Sequence, residues 1–358
     1  MLRGSSYSYK YINGNYLVTF SGGDLKKVAF RKGEDLIANF PDSIDLKISN
    51  RCSRGCPFCH ENSVINGNVL DVGRTIECLS QLPKLPLEFA IGGGNILESL
   101  PESNAIVDWL ISRGHRVRCT IKYEDLFSLT DPQRELLQKF EGIGISIDKI
   151  SNPILDEYIS KKSNDFYCYE FESGVNRHFN ELLFNIVESE KEGSLFSQLS
   201  RMERDHRLPK FVIHIIAGVF PTDKLKMLLE NSNAPILILG YKQWGRAKNT
   251  SLPESMGEFE RIIKQYLYEN RYLVEAGKYD RRFTVFDNLA LEQLHIKDSL
   301  TSDEWDTLYM GDEGTHSMYI DAVSGQYARN SRSPERVSWD EVGLIDYFKS
   351  LRNDSGNN

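Results

Sequence analysis

Cys52, Cys56 and Cys59 stand four and then three positions apart, directly after an apolar run at 44–49. Thiols this close on one loop reach a common centre, and thiolates are the ligands of iron–sulfur clusters and of zinc. Three thiolates on a four-iron cluster leave one iron without a protein ligand. An open position on a metal is where a substrate or cofactor binds. On zinc the same three need a fourth ligand, which His60 or a remote cysteine would supply. Gly55 and Pro57 oppose a continuous helix between the cysteines and favour a loop that wraps a ligand. Phe58 is placed to shield one side of it.

The rest of the chain alternates. Strands are expected over 44–49, 87–91, 116–121, 143–147, 211–219 and 236–239. Helices are expected between or after them, over 73–82, 103–113, 132–140, 176–190, 223–230 and 254–270. Six βα repeats argue for an α/β fold, a mainly parallel sheet curled into a partial (βα)6 TIM-like barrel. In such folds chemistry gathers at the C-terminal ends of the strands, where the cysteine loop lies. Residues 1–42 read as a β-rich N-terminal lead-in with a hairpin around Ser21-Gly22-Gly23-Asp24. Residues 43–270 form the barrel, 271–350 an α+β C-terminal cap, and 351–358 a disordered tail. The long stretch at 156–210 reads as extra solvated helices or a lid.

C-x-x-x-C-x-aromatic-C after the first barrel strand resembles the cluster motif of the radical S-adenosylmethionine (SAM) enzymes, here as Cys52, Cys56, Phe58 and Cys59. The resemblance implies a 4Fe–4S cluster whose unique iron chelates the amino and carboxylate groups of SAM. An electron from an external donor of flavodoxin or ferredoxin type then cleaves SAM to methionine and a 5′-deoxyadenosyl radical, which abstracts a substrate hydrogen. It also implies cofactor-binding roles. Gly92, Gly93, Gly94 and Asn95 match the segment that holds the SAM amino group, with Asn95 where the family has an acidic residue. Lys122, Ser146 and Asp148 match strand-end positions that contact the SAM carboxylate and ribose. His214 is the one polar side chain in the apolar fifth strand, and lies near SAM or substrate if it points inward. Lys242, Gln243 and Arg246 follow the sixth strand as candidate substrate contacts. The chain has six cysteines and none after Cys168, so one cluster is expected and no auxiliary cluster in the cap.

A chain of 358 residues, 40% of them hydrophobic, has the material for a full core, and its formal charge of −8 offers no general attraction to nucleic acid. No apolar run approaches the ~20 residues that cross a membrane, and no N-terminal signal region is evident. With cysteines unlike a secreted disulfide framework, a cytoplasmic setting is expected. The substrate is read as a peptide or protein side chain, because the aromatic-rich terminal modules add surface beyond a small molecule's needs. A nucleotide or other small metabolite, with Lys122, Lys242 and Arg246 as phosphate contacts, is the alternative. A non-catalytic zinc or Fe–S protein is the third reading.

Overall fold

The computed structural model describes residues 9–21, 24–31, 34, 36–148, 210–231, 235–275, 284–309 and 311–353. The expected helix at 176–190, Cys168 and the stretch at 156–209 lie outside them.

The chain opens with an antiparallel sheet of β1 (Tyr9–Asn13), β2 (Tyr16–Ser21) and β3 (Asp24–Ala29). The turn from β1 to β2 needs Gly14: its φ is +64°, and a Cβ there would meet the Ile37 carbonyl at 1.6 Å. Asp42 fixes this sheet to the rest of the chain. Its carboxylate takes Lys27 Nζ at 2.6 Å and the hydroxyl of Tyr16, all out of contact with solvent. A buried ion pair of this kind registers one module against another more than it stabilises.

The main sheet holds β4 (Ser43–Ser49), β5 (Glu88–Gly93), β6 (Arg116–Lys122), β7 (Gly142–Ser146), β8 (Lys210–Ile216), β9 (Ile236–Leu239) and β10 (Thr284–Phe286). These seven are parallel neighbours in that order. β11 (Ser317–Asp321) adds to the free side of β4, also parallel, and β12 (Gln326–Ala328) and β13 (Val337–Ser338) continue antiparallel. The sheet thus has two parallel strands more than the six repeats foreseen, both from sequence after 270. Those residues do not stand apart as a cap: they extend both edges of the sheet.

Alternation explains the layers. Ile44, Leu46, Ile48, Phe89, Ile91, Val117, Ile121, Ile143, Ile145, Ile213, Ile215, Ile236 and Ile238 face outward and are buried. They lie under α1 (Val72–Leu79), α2 (Leu100–Ser112), α3 (Asp131–Lys139), α4 (Thr222–Asn231) and α5 (Met256–Glu275). Each such side chain contributes roughly 1.5–3 kcal/mol by leaving water. The inward set is different: Asp45, Lys47, Ala90, Gly92, Arg118, Thr120, Gly142 and Gly144. Solvent reaches Asp45, Ala90, Arg118 and Thr120, so this face lines a lumen.

The sheet curls. The loops after β4 and β9, strands five places apart, touch through Arg246 and Cys56. It is not closed, because β10 and β13 are its edges. The remaining helices are α6 (Asn288–Gln293), α7 (Ser302–Leu308) and α8 (Leu344–Asn353). α8 corrects the boundary drawn at 351: Leu351 is helical and buried because it packs into the core beside β12. Among the described residues no helix is long and apolar enough to cross a membrane.

Candidate functional site

β4 delivers the chain into a closed excursion. Asn50 N–H bonds the Asn68 carbonyl at 2.7 Å, Leu70 N–H the Ile48 carbonyl at 2.9 Å and Cys52 N–H the Val64 carbonyl at 2.9 Å. The three cysteines ride on this loop, half-buried and free of disulfides. Gly55 takes φ +64° between them, and Cys59 N–H closes a turn on the Cys56 carbonyl at 3.2 Å. Burial pushes the Cys52 and Cys56 thiols up, opposed at Cys56 by the charge of Lys122. A metal held here would displace these protons. Among the described residues no three His, Cys, Asp or Glu side chains converge as ligands of one ion. A four-iron cluster asks for a wider triad, one thiolate per iron, and three half-buried thiols on one wrapped loop suit that demand.

The loop is held from three directions. Glu98 accepts from Ser53 N–H at 3.0 Å and from its hydroxyl at 2.8 Å. Asp125 pairs with Arg54 and also accepts from Asn95 Nδ2 at 3.3 Å. On the far side Lys47 Nζ lies 2.9 Å from Glu61 and 3.0 Å from Asp321, and Tyr319 donates to Glu61 at 3.0 Å. His60 Nε2 sits 3.3 Å from the same Glu61. The third support comes from the loop after β9. Arg246 Nε bonds the Cys56 carbonyl at 2.8 Å, its Nη1 the Ser63 carbonyl at 2.6 Å, and its backbone N–H the Cys59 carbonyl at 3.0 Å.

The glycine triplet divides its work. Around Gly92 a Cβ would meet nothing within 4 Å, so there is open space beside it for a ligand. Gly93 (φ +107°) and Gly94 approach the protein's own chain: a Cβ would come within 2.4 Å of the Ser49 carbonyl and 2.1 Å of the Arg51 carbonyl. Gly94 N–H bonds Ser49 at 2.6 Å and Asn95 N–H bonds Arg51 at 2.7 Å. These two glycines therefore zip β5 onto the strand that leads into Cys52. The Asn95 side chain caps the short turn after it, accepting from Leu97 N–H at 3.1 Å.

Three other expected residues meet. Lys122 Nζ pairs with Asp148 and lies 5.2 Å from the centre of the Phe58 ring. Ser146 is level with Lys122 on one side and His214 on the other. His214 faces the lumen. Its ring covers Gly144, where a Cβ would sit 2.2 Å from Cε1, and its Nδ1 is 3.3 Å from Thr120 Oγ1. Burial pushes it down to about 4, so it is neutral at neutral pH. Lys242 bonds Ser331 at 2.8 Å and Gln243 bonds the Thr250 carbonyl at 2.7 Å. With Arg246 on the cysteine loop, all three expected substrate contacts after the sixth strand are engaged within the protein.

Asp45 was not singled out by sequence. The signal was there: alternation with Ile44 and Leu46 turns it inward. It is pushed up to about 6, first by its partly dehydrated place in the lumen and then by Glu313, Asp287 and Glu61, against the opposing charge of Lys242. A carboxyl raised on folding weakens the fold above that pH and costs nothing below the unfolded value near 4. Asp45→Asn is therefore expected to unfold at higher temperature than the native protein at pH 8 and at the same temperature at pH 4. Because water reaches the carboxylate, the gain is about 1 kcal/mol or less. Equal thermal midpoints at both pH values would remove Asp45 from this account.

A cavity of about 830 Å³ is walled by Asn288, Leu291, Trp305, Glu313 and Arg329, from the segments that flank β10, β11 and β12.

No protein-family model matches the sequence, and no curated protein matches it. Solved structures do. SuiB of Streptococcus suis bound to S-adenosylmethionine superposes with a TM-score of 0.53 at 13% identity, over 87% of this chain and 66% of that one. SuiB bound to its precursor peptide SuiA gives 0.52 at 14% identity, over 87% and 65%. The chain spans just under two thirds of SuiB's length. At this identity the likeness speaks for the fold alone: the chain shares with SuiB its curled, open parallel sheet, and carries its three cysteines on the loop after β4, the first strand of the barrel.

Proposed function

We propose that this protein is a radical SAM enzyme that acts on a peptide or protein side chain. The observation that carries the reading is one arrangement: the C-x-x-x-C-x-x-C loop at the mouth of a curled parallel barrel, on the fold of a protein solved with SAM. Cys52, Cys56 and Cys59 would hold a 4Fe–4S cluster. When bound, that cluster supplies the electron that splits SAM, and the resulting 5′-deoxyadenosyl radical takes a hydrogen atom from the substrate.

The chain's own residues do the rest. The open space beside Gly92 lets a ligand come close to the strand end, where a backbone carbonyl would accept from the SAM amino group, and Gly93, Gly94 and Asn95 fix that strand end. Lys122, kept in place by Asp148 and Phe58, offers a cation to the methionine carboxylate. Ser146 and neutral His214 stand on the lumen wall for ribose or substrate hydroxyls. The cavity between the α6–α7 segment and the C-terminal strands has the volume for several residues of an extended chain. A peptide substrate is favoured because SuiB was solved with a precursor peptide. A flavodoxin- or ferredoxin-type donor would supply the electron.

The test is anaerobic. Protein reconstituted with iron and sulfide is expected to bind about four irons per chain. With dithionite and SAM it is expected to release 5′-deoxyadenosine. A short peptide encoded beside the gene should increase that release and change in mass. Protein that retains zinc, takes up no iron and leaves SAM intact would overturn the reading in favour of a metal-binding protein. Turnover of a nucleotide, with the peptide unchanged, would move the substrate to the small-metabolite class.

A further inference from the structure

The loop after β9 carries no cysteine, yet it grips the cysteine loop at three carbonyls. Arg246 donates to the carbonyls of Cys56 and Ser63 through its side chain and to that of Cys59 through its backbone. Gly245 makes the approach possible. It takes φ +59°, and a Cβ on it would lie 2.4 Å from the His60 carbonyl and 2.6 Å from that of Cys59. A guanidinium is suited to this task, since its planar fork satisfies two acceptors at once and keeps its charge.

We propose that Arg246, seated by Gly245, is a positioning residue for the cluster. It holds the cysteine loop in its ligating shape and raises the electron affinity of the cluster bound there. The inference rests on the radical SAM reading. Two of the three carbonyls it satisfies belong to cluster-ligand residues. Left without a donor, they would turn elsewhere and carry their side chains with them. The electrostatic part is separate. One-electron reduction adds a negative charge to the cluster, and the potential of such clusters depends on local charge and hydrogen bonding. A cation fixed on the peptide group of a ligand favours the reduced state. Substituting it by a neutral residue makes reduction harder.

The two parts come apart in two variants of the full chain. Arg246→Gln loses the charge and the fork, while Arg246→Lys keeps the charge and loses the fork. After anaerobic reconstitution, Arg246→Gln is expected to lose iron to a chelator about 10–100-fold faster than the native protein, the range for groups that support metal ligands. Its midpoint potential, tracked by the electron paramagnetic resonance of the reduced cluster, is expected to fall below the native value. Arg246→Lys is expected to lose iron faster too, while its potential stays near native. If Arg246→Gln does not fold, the lysine variant still decides the positioning claim. Iron loss at the native rate from Arg246→Lys, or from Arg246→Gln with an unshifted potential, overturns the proposal. Native protein that binds no iron sinks the functional reading instead, so the two failures are distinguishable.

Discussion

Cys56→Ala protein, reconstituted in parallel with the native chain, is expected to hold no intact cluster and to release no 5′-deoxyadenosine above the protein-free background. The effect should exceed the 10–100-fold cost of removing a group that merely supports a metal ligand, because a ligand itself is lost. Cys56 is the central member of the triad, and its carbonyl is also where Arg246 docks. Alanine keeps the backbone, so that hydrogen bond and the fold are expected to survive. Cys119→Ala is the control. Cys119 is buried in the helix-facing core on β6, and its thiol is pushed well up by burial alone. Its loss should cost a small packing penalty and leave iron content and SAM cleavage intact. Equal 5′-deoxyadenosine from Cys56→Ala and native protein would refute the cluster assignment, and loss from Cys119→Ala alone would place the chemistry elsewhere.

The cysteine loop and the order of strands and helices were legible because both are local. Three thiols within eight residues declare themselves, and an apolar alternation such as Ile44, Leu46, Ile48 reads as a strand with one buried face. The two added parallel strands were not legible as such. β10 has three residues and β11 has five, and nothing in so short a run says which neighbour it will find. The supports of the loop were invisible for a related reason. Arg246 and Cys56 are 190 positions apart and Lys47 and Asp321 are 274 apart, so their meeting is a property of the curled sheet. Arg246 therefore read as a basic loop residue facing substrate. The glycine triplet shows the same limit. Sequence can say that a backbone must come close at 92–94, but not to what. At Gly93 and Gly94 the partner is residues 49–51, and only Gly92 is left for a ligand.

Lys47 carries the second large effect. It lies on the lumen face of β4, is 7% exposed, and stands between Glu61 and Asp321, which are also buried. Through Glu61 it ties the cysteine loop, and through Asp321 it ties β11, to the first barrel strand. Lys47→Met fills similar space and withdraws the ammonium that bridges these two acids, leaving Glu61 with His60 and Tyr319. Burial raises the lysine's cost of ionisation, but both carboxylates outweigh it and hold its affinity for a proton above the usual value. Breaking such an arrangement by removing one partner costs about 3–5 kcal/mol, because uncompensated charge stays buried. For a chain of 358 residues that corresponds to a thermal midpoint lower by roughly 4–7 °C. The variant is also expected to lose its cluster faster, since Glu61 is two residues from Cys59. Replacing all three groups, as Lys47→Met with Glu61→Gln and Asp321→Asn, removes the charges together and should recover most of the midpoint. If Lys47→Met alone unfolds at the native temperature, the charges are solvated in solution and the triad does not join β11 to the loop. If the triple variant is no better than the single one, the tie depends on packing and not on charge. Recovery of the midpoint without recovery of iron retention would mean that the fold needs only neutrality here, whereas the cysteine loop needs the lysine itself.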